Sequence, residues 1–96
     1  MNSGINSIVL NEISKLAAVN GIEKVILFGS RARGDYYETS DIDLAVNGGN
    51  ISEFTVAVDE ETSTLLKFDI VDLSSMIRPE LRESIERDGV IIYEKI

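Results

Sequence analysis

Two aspartates one residue apart, Asp41 and Asp43, form the first pattern in this sequence that could do chemistry. They open the segment DIDLAV, whose alternation of acidic and apolar residues is typical of a strand with one buried face. Alternate side chains of a strand point to the same side, about 6.6 Å apart, so both carboxylates could bind one or two metal ions such as Mg²⁺. An isolated pair of this kind is also typical of a solvent-exposed acidic strand face.

A glycine and a serine, Gly29 and Ser30, follow the apolar run KVILF directly. Because the chain must turn sharply there, the glycine lets the backbone approach a phosphate group without a Cβ in the way. The hydroxyl of Ser30 and the guanidinium of Arg31 or Arg33 could then point at a polyphosphate. A glycine-serine pair at the end of a strand is also typical of an ordinary turn, so the pair gains weight only beside the two aspartates.

A third carboxylate is available in the segment FDIVDL, which contains Asp69 and Asp72. An acid inside an otherwise apolar strand is costly unless it is paired, solvated or bound to a metal. Beside the first two aspartates, it would complete a two-metal site and could activate an attacking hydroxyl. We favour Asp69, which lies deeper in the strand, whereas Asp72 lies near the strand end and could cap the residues that follow.

The composition restricts the chemistry further, since the 96 residues contain neither cysteine nor histidine. Thiolate zinc sites, cysteine nucleophiles and imidazole-based triads are therefore excluded. The net charge of −8 would repel a long phosphate polymer, so we expect no direct binding of nucleic acid. The excess of acid lies entirely in residues 41–96 and predicts solvated acidic helix faces or, alternatively, a surface that meets a basic partner.

The length and the apolar runs limit the kind of protein that this sequence can be. The length favours one domain over residues 1–96, and the apolar runs are too short for a membrane span. No signal peptide is evident at the N-terminus, so we expect a cytoplasmic protein.

Periodicity and turn residues predict the elements that must position these side chains. Segment 52–67 is ambiguous because FTVAV alternates like a strand, but we favour a helix. The predicted elements are a helix over 5–19, a strand over 24–28, a tight helical turn, a strand over 41–46, a helix over 52–67, a strand over 68–73, a short helix between Pro79 and Gly89, and a strand over 90–93. This order predicts an α/β or α+β fold with a mixed sheet.

Taken together, these motifs resemble those of the nucleotidyltransferase superfamily with the DNA polymerase β-like fold. Gly29-Ser30 is followed after ten residues by Asp41-x-Asp43 and later by a strand acid. With GSRARG, SDIDL and a closing DGVIIYE, the whole chain is similar to a stand-alone minimal nucleotidyltransferase, or MNT domain. The resemblance implies a mixed sheet of about four strands flanked by helices. It also implies that Gly29 and Ser30 hold a triphosphate, that Asp41 and Asp43 bind Mg²⁺, and that Asp69 is the third metal-binding and catalytic carboxylate.

The same resemblance implies a biological setting, because minimal nucleotidyltransferases of this kind are often encoded beside a small helical HEPN toxin of the RNase type. We therefore expect a Mg²⁺-dependent enzyme, with two metal ions, that transfers AMP from ATP to a tyrosine of a HEPN partner and so acts as its antitoxin. Arg31 or Arg33 would help Ser30 to hold the β- and γ-phosphates. The alternative is a non-catalytic antitoxin that neutralises its partner by forming a complex.

Overall fold

The computed structural model describes residues 2–96, in which helices and strands alternate. The elements are α1 (Ser7–Val19), β1 (Lys24–Phe28), α2 (Ser30–Arg33), β2 (Ile42–Asn47), α3 (Ile51–Glu61), β3 (Phe68–Asp72), α4 (Pro79–Asp88) and β4 (Val90–Glu94). The N-terminal ends of α1 and α3 are capped by asparagine side chains, as is typical where orphan backbone amides need acceptors. Pro79 occupies the first turn of α4, where its missing N–H costs nothing.

The four strands form one sheet in the order β3-β2-β1-β4. Strand β1 is antiparallel to both β2 and β4, whereas β2 and β3 are parallel and joined by the crossover helix α3. The predicted mixed sheet of four strands is therefore confirmed. This topology brings the C-terminal end of β1 and the N-terminal ends of β2 and β3 to the same edge of the sheet, where we place the candidate site.

The two faces of the sheet are covered unequally. Helices α1 and α3 pack against one face, where alternate residues of β1 and β2, including Leu27 and Leu44, are fully buried together with Ile13 and Phe54. On the opposite face a smaller cluster forms around Ile85 of α4. Ala45 of β2 and Val71 of β3 join this cluster, and Asp43 and Asp69 precede them by two residues on the same face.

Most predicted elements are confirmed, but two local predictions are wrong. The predicted helix over 52–67 ends at Glu61, because Thr62 is extended (φ −93°, ψ 156°) and the following residues run separately to β3. Gly89 is the C-terminal cap of α4, as predicted, and its N–H donates to the carbonyl oxygen of Ile85. Its φ is −65°, and a Cβ there would overlap that carbonyl oxygen, so close packing explains the glycine. Asp41, predicted as the first residue of a strand, precedes β2 by one residue.

None of the helices within residues 2–96 combines the length and the hydropathy needed to span a bilayer.

Candidate active site

Asp43 is at the centre of the candidate site. Its backbone pairs with Phe28 of β1 on one side and with Asp69 of β3 on the other. Adjacent strands lie about 4.8 Å apart, so the two carboxylates are neighbours, and Gly29 follows Phe28 at the same edge of the sheet. The alternation of side chains places Asp43 and Asp69 on the face covered by α4. The structure thus brings together Gly29, Asp43 and Asp69, which the sequence had separated by up to 40 residues.

Gly29 can only be a glycine in this position. Its backbone has φ 74° and ψ −155°, a region that side chains with a Cβ rarely adopt. A Cβ at this position would also overlap the Oδ2 atom of Asp43. The turn therefore packs directly on the Asp43 carboxylate, with the half-buried Ser30 beginning α2 immediately afterwards.

The electrostatics of the cluster are dominated by like charges. The pKa of Asp43 is raised to about 6, mainly by burial and also by the neighbouring carboxylates of Asp69 and Asp41, whereas the guanidinium of Arg33 opposes the shift. Asp43 is half-buried, while Asp41 and Asp69 are exposed. The three acids thus lie close enough to repel one another, and a bound cation would relieve that repulsion.

The donor set suits Mg²⁺, although no three acidic side chains in the part of the chain that the structure describes already enclose a single metal position. Asp41, Asp43 and Asp69 offer carboxylate oxygens without sulfur or nitrogen donors. Mg²⁺ prefers such oxygens and completes its coordination with water and substrate phosphate. The crowded charge at Asp43 is the observation that fits a divalent cation at this position.

The two candidates for the third carboxylate occupy different places. Asp69 lies beside Asp43, whereas Asp72 pairs with Val46 toward the opposite end of the sheet. The carboxylate of Asp72 accepts hydrogen bonds from the Ser74 amide at 2.9 Å and the Ser74 hydroxyl at 2.7 Å. These hydrogen bonds lower the pKa of Asp72. Asp72 therefore caps a turn, and the geometry favours Asp69 as the acid of the site.

Arg31 does not lie where the sequence analysis expected a phosphate ligand. The residue is buried, with only 1% of its surface exposed, and its guanidinium points into the protein. It donates hydrogen bonds to the main-chain carbonyls of Ser40 at 3.0 Å, Ser3 at 3.0 Å, Glu38 at 3.0 Å and Tyr37 at 3.4 Å. The ring of Tyr36 lies 4.9 Å from its guanidinium carbon. Arg31 therefore holds the loop that leads from α2 to Asp41, and the expectation that it contacts nucleotide is corrected to a positioning role.

Arg33 is the arginine of the motif that faces solvent. Its Nε atom lies 3.3 Å from a carboxylate oxygen of Asp35, and its charge acts on Asp43. Two residues apart on a single helical turn, Arg31 and Arg33 point to different sides, which the motif GSRARG alone does not reveal.

The N-terminal segment before α1 supports the same loop, which the sequence analysis missed. Ser3 is buried and supplies one of the carbonyls that Arg31 contacts. A Cβ at Gly4, whose φ is 71°, would overlap the ring of Tyr36 and lie 2.8 Å from Nη1 of Arg31. The Tyr36 hydroxyl donates to Asn2 at 3.2 Å. In the sequence the only hint of these contacts was a serine followed by a glycine, Ser3 and Gly4.

A cleft of about 510 Å³ opens beside Asp41 and was also missed. Its lining residues are Thr39, Asp41, Leu65, Leu66 and Lys67. Leu65 and Leu66 fall within the helix that was predicted over 52–67. In the structure these residues belong to the irregular segment before β3, and Leu65 is fully exposed.

Comparison with known proteins identifies the family. The family model "Polymerase beta, Nucleotidyltransferase" matches residues 11–96. A relative from Methanocaldococcus jannaschii, named "Putative protein adenylyltransferase MJ0604", is 50% identical over 50 residues, which is 52% of this chain and 48% of the relative. The chain thus matches about half the length of that relative.

Solved structures agree with this family. The crystal structure of a toxin-antitoxin with AMP-PNP superimposes with a TM-score of 0.71 at 28% identity, covering 90% of this chain and 73% of that chain. A structure titled as a "putative minimal nucleotidyltransferase" superimposes with a TM-score of 0.70 at 28% identity, covering 94% of this chain and 95% of the other. The resemblance inferred from the motifs is thus confirmed: the chain belongs to the polymerase β-type nucleotidyltransferase family and has the fold of a minimal nucleotidyltransferase.

Proposed function

We propose that this nucleotidyltransferase transfers AMP from ATP to a tyrosine hydroxyl of a HEPN toxin partner, requires Mg²⁺, and thereby acts as an antitoxin. The observation that carries the proposal is the position of Asp43, between the Gly29-Ser30 turn and Asp69 at one edge of the sheet. Support also comes from the relative named as a protein adenylyltransferase and from the similar toxin-antitoxin with AMP-PNP.

In this proposal the turn after β1 binds the triphosphate. The backbone N–H groups of the turn and the Ser30 hydroxyl donate hydrogen bonds to the phosphate oxygens, beside the Asp43 carboxylate on which Gly29 packs. The exposed guanidinium of Arg33 neutralises charge on the β- and γ-phosphates. Arg31 keeps the loop that carries Asp41 in place, as its contacts with backbone carbonyls require.

The carboxylates of Asp41, Asp43 and Asp69 would hold two Mg²⁺ ions. When bound, these ions would supply charge stabilisation for the phosphate oxygens and for the departing pyrophosphate. The carboxylate of Asp69 accepts the proton of the acceptor hydroxyl. As the new bond forms between the acceptor oxygen and the α-phosphorus, the bond from that phosphorus to pyrophosphate breaks, and pyrophosphate leaves with the electron pair.

The test is transfer of label from α-³²P-ATP to the protein encoded beside this one, with intact-mass analysis to count the AMP groups. We expect labelled partner from wild type and at least about a thousandfold less from the double variant Asp41→Ala/Asp43→Ala, since the site loses two of its three carboxylates. Asp59→Ala is the control, because Asp59 is an exposed acid on α3, which packs on the opposite face of the sheet from Asp43 and Asp69. Undiminished transfer by the double variant would overturn the assignment.

The charge distribution favours a second candidate function, a non-catalytic antitoxin. The excess of acid over base lies in residues 41–96, and such a surface could mask a basic partner. Neutralisation of toxicity in cells separates the two functions. Neutralisation that is lost with Asp41 and Asp43 supports catalysis, whereas neutralisation that persists in the double variant supports binding alone.

A further inference from the structure

The cleft beside Asp41 lies on the β3 side of the candidate site. Across the sheet edge, the Gly29-Ser30 turn follows β1, the aspartate pair is at β2, and Leu65 to Lys67 precede β3. Strand β2 lies between the other two. The cleft and the proposed triphosphate site are therefore on opposite sides of Asp41 and Asp43.

The stereochemistry of phosphoryl transfer indicates which side of the site the acceptor occupies. The attacking and departing oxygens lie roughly in line on opposite sides of the phosphorus. If pyrophosphate leaves toward the Gly29-Ser30 turn, the acceptor hydroxyl must enter from the β3 side, where the cleft opens and where Asp69 lies. We propose that the cleft is the acceptor subsite and that Leu65 is the residue that contacts the aromatic ring of the acceptor tyrosine. This inference rests on the proposed function and adds the residues that select the acceptor.

The lining of the cleft suits a phenol. Leu65 and Leu66 provide an apolar wall for a ring, while Thr39, Asp41 and Lys67 are polar groups that suit the hydroxyl end. Aromatic rings gain most from such apolar contact when the polar tip finds a partner. The acidic surface of residues 41–96 further favours a tyrosine within a basic segment of the partner.

The segment that carries Leu65 is held in place by contacts with other elements. The carboxylate of Glu12 in α1 accepts hydrogen bonds from the Ser63 amide at 2.8 Å and the Ser63 hydroxyl at 2.7 Å. At the other end, the Ile42 amide donates to the carbonyl of Lys67 at 2.8 Å. The side chain of Leu65 is nevertheless fully exposed, so it contributes nothing to the core and can be replaced without loss of stability.

The experiment compares Leu65→Ala with Met76→Ala as transferases. Met76 is also fully exposed, but it follows β3 at the opposite edge of the sheet, which makes it a matched control. We expect Leu65→Ala to raise the KM for the HEPN partner about tenfold, with the KM for ATP and the melting temperature unchanged. We expect Met76→Ala to behave as wild type.

A direct binding measurement complements the kinetics. N-acetyl-tyrosinamide titrated into ¹⁵N-labelled protein should shift the amides of Leu65, Leu66 and Lys67 in a saturable way. Shifts confined to the Gly29-Ser30 turn, or none, would contradict the proposal.

The outcomes also separate this inference from the proposed function. Transfer by wild type with an unchanged partner KM in Leu65→Ala overturns the acceptor subsite and leaves the function intact. A raised KM for ATP instead assigns the cleft to the nucleotide base and likewise overturns it. Absence of transfer by wild type refutes the proposed function, and the acceptor subsite falls with it.

Discussion

At the scale of single residues, Asp43 suits a catalytic site, but its charged carboxylate destabilises the folded protein. Its pKa is raised from 3.8 to about 6, first by burial and then by Asp69 and Asp41. At a pH between these two pKa values, such a carboxyl binds more protons in the folded protein than in the unfolded chain. The folded state is therefore destabilised progressively as the pH rises from about 4 to about 6, and the full cost is present above that range.

We predict that Asp43→Asn makes the ligand-free protein more stable than wild type at neutral pH. The shift would correspond to about 3 kcal/mol at full burial, and partial exposure reduces it to roughly 1 kcal/mol. Thermal unfolding followed by circular dichroism should show a melting temperature a few degrees higher at about pH 7.5, with the difference vanishing near pH 4. A variant less stable than wild type at neutral pH would show that Asp43 is not under electrostatic strain.

At the scale of elements, local patterns were sufficient where one short segment decides its own structure. The alternation in DIDLAV and the run KVILF predicted β2 and β1, since their apolar faces are buried as expected. Residues 62–67 were mispredicted because their conformation depends on Glu12, which accepts a hydrogen bond from Ser63, 51 positions away in the chain. No local periodicity contains that contact.

The candidate site was predictable to a similar extent and for similar reasons. The motifs located Gly29, Asp41 and Asp43, but the choice between Asp69 and Asp72 depended on the register of β3 against β2. Strand alternation cannot fix that register without the neighbouring strand. The orientation of Arg31 likewise depended on carbonyls supplied by two separate segments.

We predict that Arg31→Lys destabilises the loop between α2 and β2 and the whole fold with it. A lysine cannot reach four carbonyl groups from one planar fork, and the lost charge-assisted hydrogen bonds are worth about 2–4 kcal/mol. Urea unfolding should show this loss, and hydrogen exchange should accelerate at the amides of residues 36–40. The matched substitution is Arg33→Lys, which should leave the unfolding midpoint unchanged because Arg33 is exposed. Equal effects from both substitutions would contradict the positioning role of Arg31.

At the scale of the whole molecule, the net charge of −8 couples stability to the ions in solution. Self-repulsion within such a chain is reduced by any salt, whereas a site built from Asp41, Asp43 and Asp69 would respond to divalent cations specifically. The two contributions can be separated by comparing MgCl₂ with NaCl at equal ionic strength. We predict that Mg²⁺ at about ten times its dissociation constant stabilises the protein by about 1.4 kcal/mol beyond the effect of NaCl.

The variants locate this increment on the molecule. Asp69→Asn should lose most of the Mg²⁺-specific rise in melting temperature, because it removes the carboxylate beside Asp43. Asp59→Asn removes the same charge from the exposed surface of α3 and should retain the rise. If both variants respond to Mg²⁺ like wild type, the cation acts on the overall acidic charge and the three carboxylates do not form a metal site. If Asp69→Asn alone loses the response, the three carboxylates form a metal site, and the repulsion among them is relieved only when a cation is bound.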